Sequence, residues 1–316
     1  LYRGGEYDWK LEGAAMNFIT QLLNGLGLGS IYALVALGYS MVYGIVQLIN
    51  FAHGDIIMVG GYMVYLAMAT AGLPIWLALP FSILVCALAG LIIQRVAYRR
   101  LLVHNAARIS LLITALGVSI FLQNLFMLLF TPDPKTMPTL FGARPVDFGG
   151  ITLTSDTLIN IVVSVLLMVG LQLLVRKTKI GKAMQATSED TGAAKLMGIN
   201  TNSVVAFTFA IGSALAAVGA ILYCNSYPQI KPDMGNLLGL KAFVAAVLGG
   251  IGSIPGAMLG GYVLGVVESL TKAYIGTITA GIITSAFSDA IVFAILIIVL
   301  LVKPSGIMGK NEGEKV

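Results

Sequence analysis

Charged residues are scarce in this chain. Only 10% of its 316 residues are Asp, Glu, Lys or Arg, whereas ordinary soluble domains carry roughly 25%. Hydrophobic residues make up 58% of the chain, and the net charge is a modest +5. A soluble fold cannot bury that much apolar surface, so a single globular cytosolic domain is excluded. The composition instead predicts a polytopic membrane protein.

Cysteine is almost absent too. Cys86 and Cys224 both lie inside apolar runs, so neither a disulfide framework nor a zinc site is expected. His53 has no second ligand at a useful spacing, and no metal or other cofactor is expected. The P-loop sequence G-x-x-x-x-G-K-[ST] does not occur, and Gly250-Ile251-Gly252 lacks the third glycine of a dinucleotide motif. We therefore expect no ATP site and no catalytic residue in this chain.

The first fifteen residues differ from the rest. They read LYRGGEYDWKLEGAA, which is polar, mixed in charge and without the apolar core of a secretory signal. We expect a non-native or disordered leader at 1–15, derived from a vector or from upstream translated sequence. A single transmembrane domain is then expected over 16–316.

Long apolar runs fill most of the chain after Met16. A spanning helix needs about 20 mostly apolar residues. The candidate segments are 17–47, 56–71, 75–94, 109–130, 157–175, 204–223, 236–249, 254–275 and 282–302. The first is interrupted by glycines, and the seventh is short. We therefore predict an all-α polytopic membrane protein with eight or nine transmembrane helices, some broken or short, packed closely through many of the 37 glycines.

Positive charges indicate the orientation, because Lys and Arg favour cytoplasmic loops. The segments 94–108, 176–203 and 303–316 hold twelve of the nineteen positive charges and are expected inside. The loops 131–156 and 224–235 are richer in Asp and Pro and are expected outside.

The number of crossings follows from this orientation. From an outside loop at 224–235 to an inside tail, the chain must cross an odd number of times. Three crossings fit the apolar length, so 236–249 must be one of them. Two polar, glycine-containing breaks, at 50–55 and 232–236, then precede helices that run in opposite directions. This arrangement is typical of an inverted repeat, in which the solute is handled where broken helices meet.

The polar run NFAHGD at 50–55 is a candidate site within the apolar first third of the chain. Polar groups inside a membrane are costly and usually face a cavity or one another. A helix that starts here would present free N–H groups to an anion such as a carboxylate. One hypothesis is a solute pathway formed by Asn50, Phe51, His53, Gly54, Gly249, Gly250 and Gly252. The alternative is structural: Asn50 and Asp55 cap the next helix, and His53 bonds to a neighbouring carbonyl.

Four charged residues lie within the last three apolar segments. Glu268 and Lys272 are one helical turn apart, which predicts an ion pair rather than a proton relay. Lys241 and Asp289 lie near predicted outer ends, where we expect them to reach toward the membrane surface.

The cytoplasmic stretch 188–199 has the pattern of one short capped helix. Ser188 is a natural N-cap, the following acidic residues suit the positive end of the helix dipole, and Gly198 fits the C′ position. We predict that this helix docks another protein; the alternative is an ordinary helix on the membrane surface. The residues assigned to docking are Ser188, Glu189, Asp190, Ala193, Ala194, Leu196, Met197 and Gly198.

Four stretches of the sequence resemble a known family. They are NFAHGD at 50–55, GKAMQATSEDTGAAKLMGIN at 181–200, GLKAFVAAVLGGIGSIPGAMLGG at 239–261 and LVKPSGIMG at 301–309. They resemble the permease subunit of bacterial branched-chain amino-acid ABC importers, and the likeness extends over essentially 16–316. The resemblance implies that 181–200 is the loop that couples the permease to an ATPase.

The same resemblance implies partners and a location. An importer of this family contains a second, different permease, two ATP-binding subunits and a periplasmic amino-acid-binding protein in the bacterial inner membrane. Membrane lipid is a further expected partner, and no nucleic acid is expected. The implied solute is leucine, isoleucine or valine, although related permeases carry urea or short amides.

Two other classes of transporter remain open on the residues alone. Paired half-helices could form the selectivity site of a passive channel or facilitator. A secondary transporter driven by protons or sodium is disfavoured, because the sequence has no buried run of Asp, Glu and His that would serve as a relay.

Overall fold

The computed structural model describes residues 5–309 apart from 48, 105, 143, 149, 150, 280 and 283, and it describes side chains from residue 16 onward except those of 108, 148 and 151. The helices are α1 (Gly5–Val46), α2 (His53–Tyr65), α3 (Ile75–Ile93), α4 (Arg99–Val103), α5 (Arg108–Phe130), α6 (Ser155–Lys177), α7 (Lys179–Glu189), α8 (Thr191–Leu196), α9 (Thr201–Ser226), α10 (Met234–Gly249), α11 (Ile254–Ile278) and α12 (Ser288–Val302). A π-helical segment, Leu66–Thr70, extends α2; another, Gln94–Tyr98, joins α3 to α4; and a 3₁₀ turn, Ser285–Phe287, precedes α12.

Within the described residues, seven helices are long and apolar enough to cross a membrane. They cover Met16–Val46, Ile75–Val103, Ile109–Phe130, Ser155–Lys177, Thr201–Ser226, Ile254–Ile278 and Ser285–Val302. The short helices α2 and α10 account for the two remaining apolar segments of the sequence. The prediction of an all-α polytopic protein is therefore confirmed. The predicted leader at 1–15 lies partly outside the described residues, and α1 begins at Gly5.

Helix α1 lies at the centre of the bundle. Its run from Ile31 to Leu37 is almost wholly buried, and it packs against α6, α9, α10 and α11. The approach to α11 is made by glycines, since a Cβ on Gly29 would stand 2.8 Å from the Gly261 oxygen. Close packing through small residues, which the composition predicts, is thus present at the core. By contrast, α5, α6 and α12 keep most of their apolar surface exposed at the periphery.

Two small antiparallel sheets lie in the loops that the sequence places outside, and one of them joins the two loops. In one sheet, β1 (Lys135–Thr136) pairs with β4 (Gln229–Ile230); in the other, β2 (Pro145–Phe148) pairs with β3 (Ile151–Thr154). The β1–β4 pairing brings 131–156 and 224–235 together on one side of the bundle. Residues 94–99 likewise lie beside residues 200–206. Both pairs of segments are therefore grouped as the charge pattern predicts.

Candidate functional site

Helix α2 begins at the polar break without a side-chain cap. Its N-cap is Ala52, whose side chain cannot accept a hydrogen bond. The buried Asn50 instead accepts a hydrogen bond at Oδ1 from the Tyr98 hydroxyl, 2.8 Å away. The alternative that Asn50 and Asp55 cap α2 is therefore wrong. Asn50 ties the break to the π-helical segment at the end of α3.

Asp55 takes part in a bridge between α2 and α10. The amide nitrogen of Gln123, on α5, donates to Asp55 Oδ1 at 2.9 Å and to Asn236 Oδ1 at 2.7 Å. A single side chain thus links the first turns of the two short helices. Because a buried polar group without a partner costs about 1–3 kcal/mol, this bridge stabilises their contact.

Glycines bring the first turns of α2 and α10 into backbone contact. A Cβ on Gly54 would lie 2.6 Å from the Gly235 oxygen, and one on Gly239 would lie 2.6 Å from Gly54 Cα. No larger residue fits without moving a backbone. The two breaks that the sequence identifies, 50–55 and 232–236, therefore meet inside the protein.

Aromatic rings cover the other side of the break. The buried His53 ring stands edge-on to Tyr39 of α1, with centroids 4.5 Å apart. Tyr39 also contacts Phe243 of α10, which in turn contacts Phe51. Phe51 is half-buried, whereas Asn50, His53 and Gly54 are buried. Of these four predicted pathway residues, only Phe51 retains part of its surface exposed in this structure.

The glycine-rich break after α10 is a tight turn closed by the C-terminal segment. Gly250 and Gly252 have positive φ angles of 105° and 92°, which favour glycine. The backbone N–H groups of Ile307 and Met308 donate to the carbonyls of Leu248 and Gly249, each at 2.9 Å. A Cβ on Gly249 would overlap the Gly256 carbonyl oxygen. These glycines are thus required by the turn itself.

The break at 50–55 and the glycine-rich turn after α10 contact the same part of α1, between residues 38 and 44. A Cβ on Gly38 would lie 2.5 Å from His53 Nε2, so glycine at this position leaves room for the imidazole. The N–H of Gly252 donates to the Ser40 hydroxyl at 2.9 Å. The two sets of predicted pathway residues, far apart in sequence, are therefore neighbours across one short stretch of α1.

The predicted docking stretch forms two helices instead of one. Ser188 and Glu189 end α7, and the Ser188 hydroxyl donates to the Gln185 carbonyl. Asp190 is the N-cap of α8, because its Oδ1 accepts from the N–H groups of Gly192 at 2.7 Å and Ala193 at 3.0 Å. The assignment of Ser188 as the N-cap is therefore wrong, and the cap lies two residues later. Either residue type is a good N-cap, so local sequence alone did not separate them.

Helix α8 presents apolar side chains to the outside of the protein. Leu196 is 90% exposed and Met197 is 82% exposed, while Ala193 is exposed and Ala194 is buried. Gly198 has a φ of 81° and stands at the C′ position, as predicted. An exposed apolar tip on a short, capped helix has the chemistry of a protein contact.

A buried ion cluster joins the last three helices to α1. Glu268 accepts at Oε1 from Lys241 at 2.8 Å and from Lys272 at 2.6 Å, and at Oε2 from the Tyr32 hydroxyl at 2.8 Å. Lys241 also pairs with Asp289 at 2.6 Å. The predicted Glu268–Lys272 pair is confirmed. The prediction that Lys241 reaches toward the membrane surface is wrong, because its side chain is only 6% exposed and is held by two carboxylates.

Sequence reasoning missed three partners at the first break: Tyr98, Gln123 and Asn236. Gln123 carried a usable signal, because an amide within an apolar segment is costly unless it is bonded inside the protein. Its partner Asp55 lies 68 residues away in the chain. The pairing itself could not be read from any local pattern.

These features define a multi-pass helical membrane protein with two short helices in contact at its core. The family described as "Branched-chain amino acid transport system / permease component" matches residues 21–300. The chain is 45% identical to the high-affinity branched-chain amino acid transport system permease protein BraD of Pseudomonas aeruginosa over 312 residues, covering 95% of this chain and 98% of that protein.

Other relatives agree. The identity is 43% to the high-affinity permease protein LivH of Escherichia coli K12, with the same coverage. It is 30% to the probable branched-chain amino acid transport permease protein LivH of Methanocaldococcus jannaschii, over 89% of each chain. This chain therefore belongs to the family of permease components of branched-chain amino acid transport systems, as the sequence resemblance predicts, and it is a multi-pass protein of the inner membrane.

Proposed function

We propose that this chain is the transmembrane permease subunit of a bacterial ABC importer for leucine, isoleucine and valine. The observation that carries the proposal is 45% identity, over almost the whole of both chains, to a high-affinity branched-chain amino acid permease. In this proposal the partners are a second permease, two ATP-binding subunits and a periplasmic binding protein. ATP hydrolysis belongs to the partners.

Helix α8 is the element that receives the ATPase in this proposal. Leu196 and Met197 insert into the partner, and Ala193 lies at the contact. Movement of α8 is transmitted to α9, because the Ile199 N–H donates to the Ala194 carbonyl at 3.0 Å just before α9 begins. It also passes into α6 through α7, whose Gly181 packs directly on the backbone of Val175. Closure of the ATPases thus moves two spanning helices.

In this proposal the solute route lies between the break at 50–55 and the glycine-rich turn after α10, where both face residues 38–44 of α1. Asn50, Phe51, His53 and Gly54 line it from one side, and the turn of Gly249, Gly250 and Gly252 from the other. The chain crosses the membrane nine times, with α2 running outward and α10 inward as the halves of an inverted repeat. Contact between their first turns at Gly54 and Gly235 supports this arrangement.

Transport assays test the function. Proteoliposomes that contain the whole complex should take up leucine only with ATP, and excess isoleucine or valine should compete while urea and ribose should not. Competition by urea alone would indicate a permease for urea or short amides. Uptake that is independent of ATP would indicate a passive channel, and either outcome contradicts the proposal.

Cysteine labelling tests the topology. In a background without Cys86 and Cys224, single cysteines at the exposed Thr152 and Met197 should react with an impermeant reagent from opposite sides of the membrane. Labelling of both from the periplasm would contradict the proposed orientation.

A pair of variants tests the route at Asn50. Tyr98→Phe and Asn50→Ala remove the same hydrogen bond, which is worth about 1 kcal/mol. If Asn50 contacts the solute, only Asn50→Ala lowers leucine uptake once both are corrected for folded protein. Equal uptake by the two variants would remove Asn50 from the route and leave the transport function itself intact.

A further inference from the structure

A cavity of about 350 Å³, most of whose lining residues are polar or basic, opens between the end of α3 and the start of α9. It lies next to the tight contact between Gly90 of α3 and Ser213 of α9. Its wall on one side is the π-helical segment Gln94–Tyr98, a local widening of the helix that is frequent at functional sites. The lining residues are Leu91, Gln94, Arg95, Arg99, Asn200, Asn202, Ser203 and Ala206.

The charge of this cavity is entirely positive. Arg95 and Arg99 are one helical turn apart, and among the described residues neither guanidinium forms an ion pair. No acidic residue lines the cavity. Two arginines beside the first turn of a long helix, which carries partial positive charge, form an attractive site for a phosphate group.

Gln94 gives independent support for a ligand. The residue is only 3% exposed and it lines the cavity. Buried amides are nearly always bonded, since leaving one unpaired costs free energy. A bound group with hydrogen-bonding oxygens in the cavity would be a hydrogen-bond partner for the Gln94 side-chain amide.

An apolar stripe leads from the cavity along α3. Leu84, Leu88, Ile92 and Val96 follow one another at helical spacing, and their exposed fractions lie between 49% and 74%. They stand on the exposed face of a helix long and apolar enough to span a membrane, where lipid tails can reach them. A ligand with a phosphate head and a hydrocarbon chain would match both the cavity and the stripe.

We propose that this cavity binds the phosphate headgroup of an anionic phospholipid from the cytoplasmic leaflet, with an acyl chain lying along the α3 stripe. The cytoplasmic position rests on the topology proposed above, and basic pockets between helices on that side are suited to anionic lipids. Bound lipid holds the π-helical segment in place. Since Tyr98 of that segment bonds to Asn50, the lipid also stabilises the helix break.

The test is native mass spectrometry of the whole complex released from nanodiscs of phosphatidylcholine, with or without phosphatidylglycerol of the same acyl chains. The wild-type complex should retain phosphatidylglycerol in preference to phosphatidylcholine. The double variant Arg95→Gln/Arg99→Gln should retain it at least about tenfold more weakly, because each arginine near the surface favours an anionic lipid. Gln94→Leu should also lower retention, although it removes no charge.

Arg100→Gln is the matched control, because this arginine belongs to the same segment but does not line the cavity. Equal loss of lipid with Arg100→Gln would show a general charge effect and overturn the proposal. Full retention by the double variant would overturn it as well. Displacement of the lipid by inorganic phosphate at low concentration would indicate a free-anion site instead. Loss of ATPase subunits without any change in retained lipid would identify an acidic protein contact and contradict the lipid assignment.

None of these results depends on which solute is carried. If leucine uptake is absent but phosphatidylglycerol is retained through Arg95 and Arg99, the proposed function fails and the lipid site stands. If uptake is normal but the variants do not change lipid retention, the lipid site fails and the proposed function stands.

Discussion

The helix break at 50–55 and the short helix α8 are both interruptions of an apolar chain, but they differ in exposure. At the break, Asn50 and Asp55 are buried and bonded to Tyr98 and Gln123. At α8 the polar residue Asp190 caps the helix, while large apolar side chains remain exposed. Polar groups are thus enclosed by the protein at the break, whereas apolar groups are exposed at α8.

This difference separates two kinds of role. The break is completed by residues of this chain, so changes there act first on folding. In the proposed function helix α8 is completed by a partner outside the chain, so changes there are expected to act on an interaction. The predictions below use this contrast, with matched controls in regions of the opposite kind.

The largest loss of stability is expected in the buried ion cluster. Glu268→Ala removes the carboxylate shared by Lys241 and Lys272, and breaking a buried ion pair in this way costs about 3–5 kcal/mol. Asp233→Ala breaks a surface ion pair, because the side chains of Lys231 and Asp233 are 48% and 53% exposed. This change should cost less than about 1 kcal/mol. Denaturant unfolding of the purified permease measures both. Similar losses for the two variants would show that the cluster is not the stabilising element described.

A smaller loss is expected where α2 and α10 cross. Gly54→Leu would push its side chain into the Gly235 backbone and should cost about 2–3 kcal/mol. Gly117→Leu, on α5, is the control, because a Cβ there meets nothing within 4 Å. The folded yield and thermal midpoint should fall for the first variant only. A stable Gly54→Leu protein would mean that the two helix starts are not in contact.

The polar bridge should contribute less again. Gln123→Leu leaves the Asp55 carboxylate buried without this donor and should cost about 1–2 kcal/mol. Its neighbour Asn124 is exposed and bonds only to its own helix, so Asn124→Leu should be neutral or slightly stabilising in detergent or lipid. Thermal unfolding of both variants decides the matter, and no difference between them would remove Gln123 from the bridge.

Much of the fold could be predicted because the signals are local. Apolar runs of spanning length placed the seven long helices of the described residues, and glycine breaks placed the short α2 and α10. Positive charge grouped segments that the β1–β4 pairing and the cavity beside Arg95 bring together in the structure. The Glu268–Lys272 pair was readable because its members are one turn apart.

The remainder depends on contacts between distant parts of the chain. Lys241 is 27 residues from Glu268, and only the packing of α10 on α11 brings them together. The Tyr98–Asn50 bond is made from a π-helical segment, for which the sequence carries no recognised signal. The turn at Gly249 and Gly250 is closed by hydrogen bonds from Ile307 and Met308. These glycines are therefore constrained by packing against the C-terminal segment as well as by any contact with a solute. Substitution to Leu at these two glycines therefore tests folding before it tests transport.

The smallest effect on stability is expected at α8, where the effect on function should be large. Ala193→Arg places a bulky charge on an exposed position and should change unfolding by less than about 0.5 kcal/mol. Gln185→Arg, exposed on α7, is the control.

The most direct test of the account is leucine-stimulated ATPase activity and leucine uptake, measured together on the reconstituted complex that carries Ala193→Arg. We expect both to fall together while the thermal midpoint of the permease is unchanged and Gln185→Arg behaves as wild type. Normal ATPase stimulation and uptake in the Ala193→Arg complex would contradict the assignment of α8 as the coupling element.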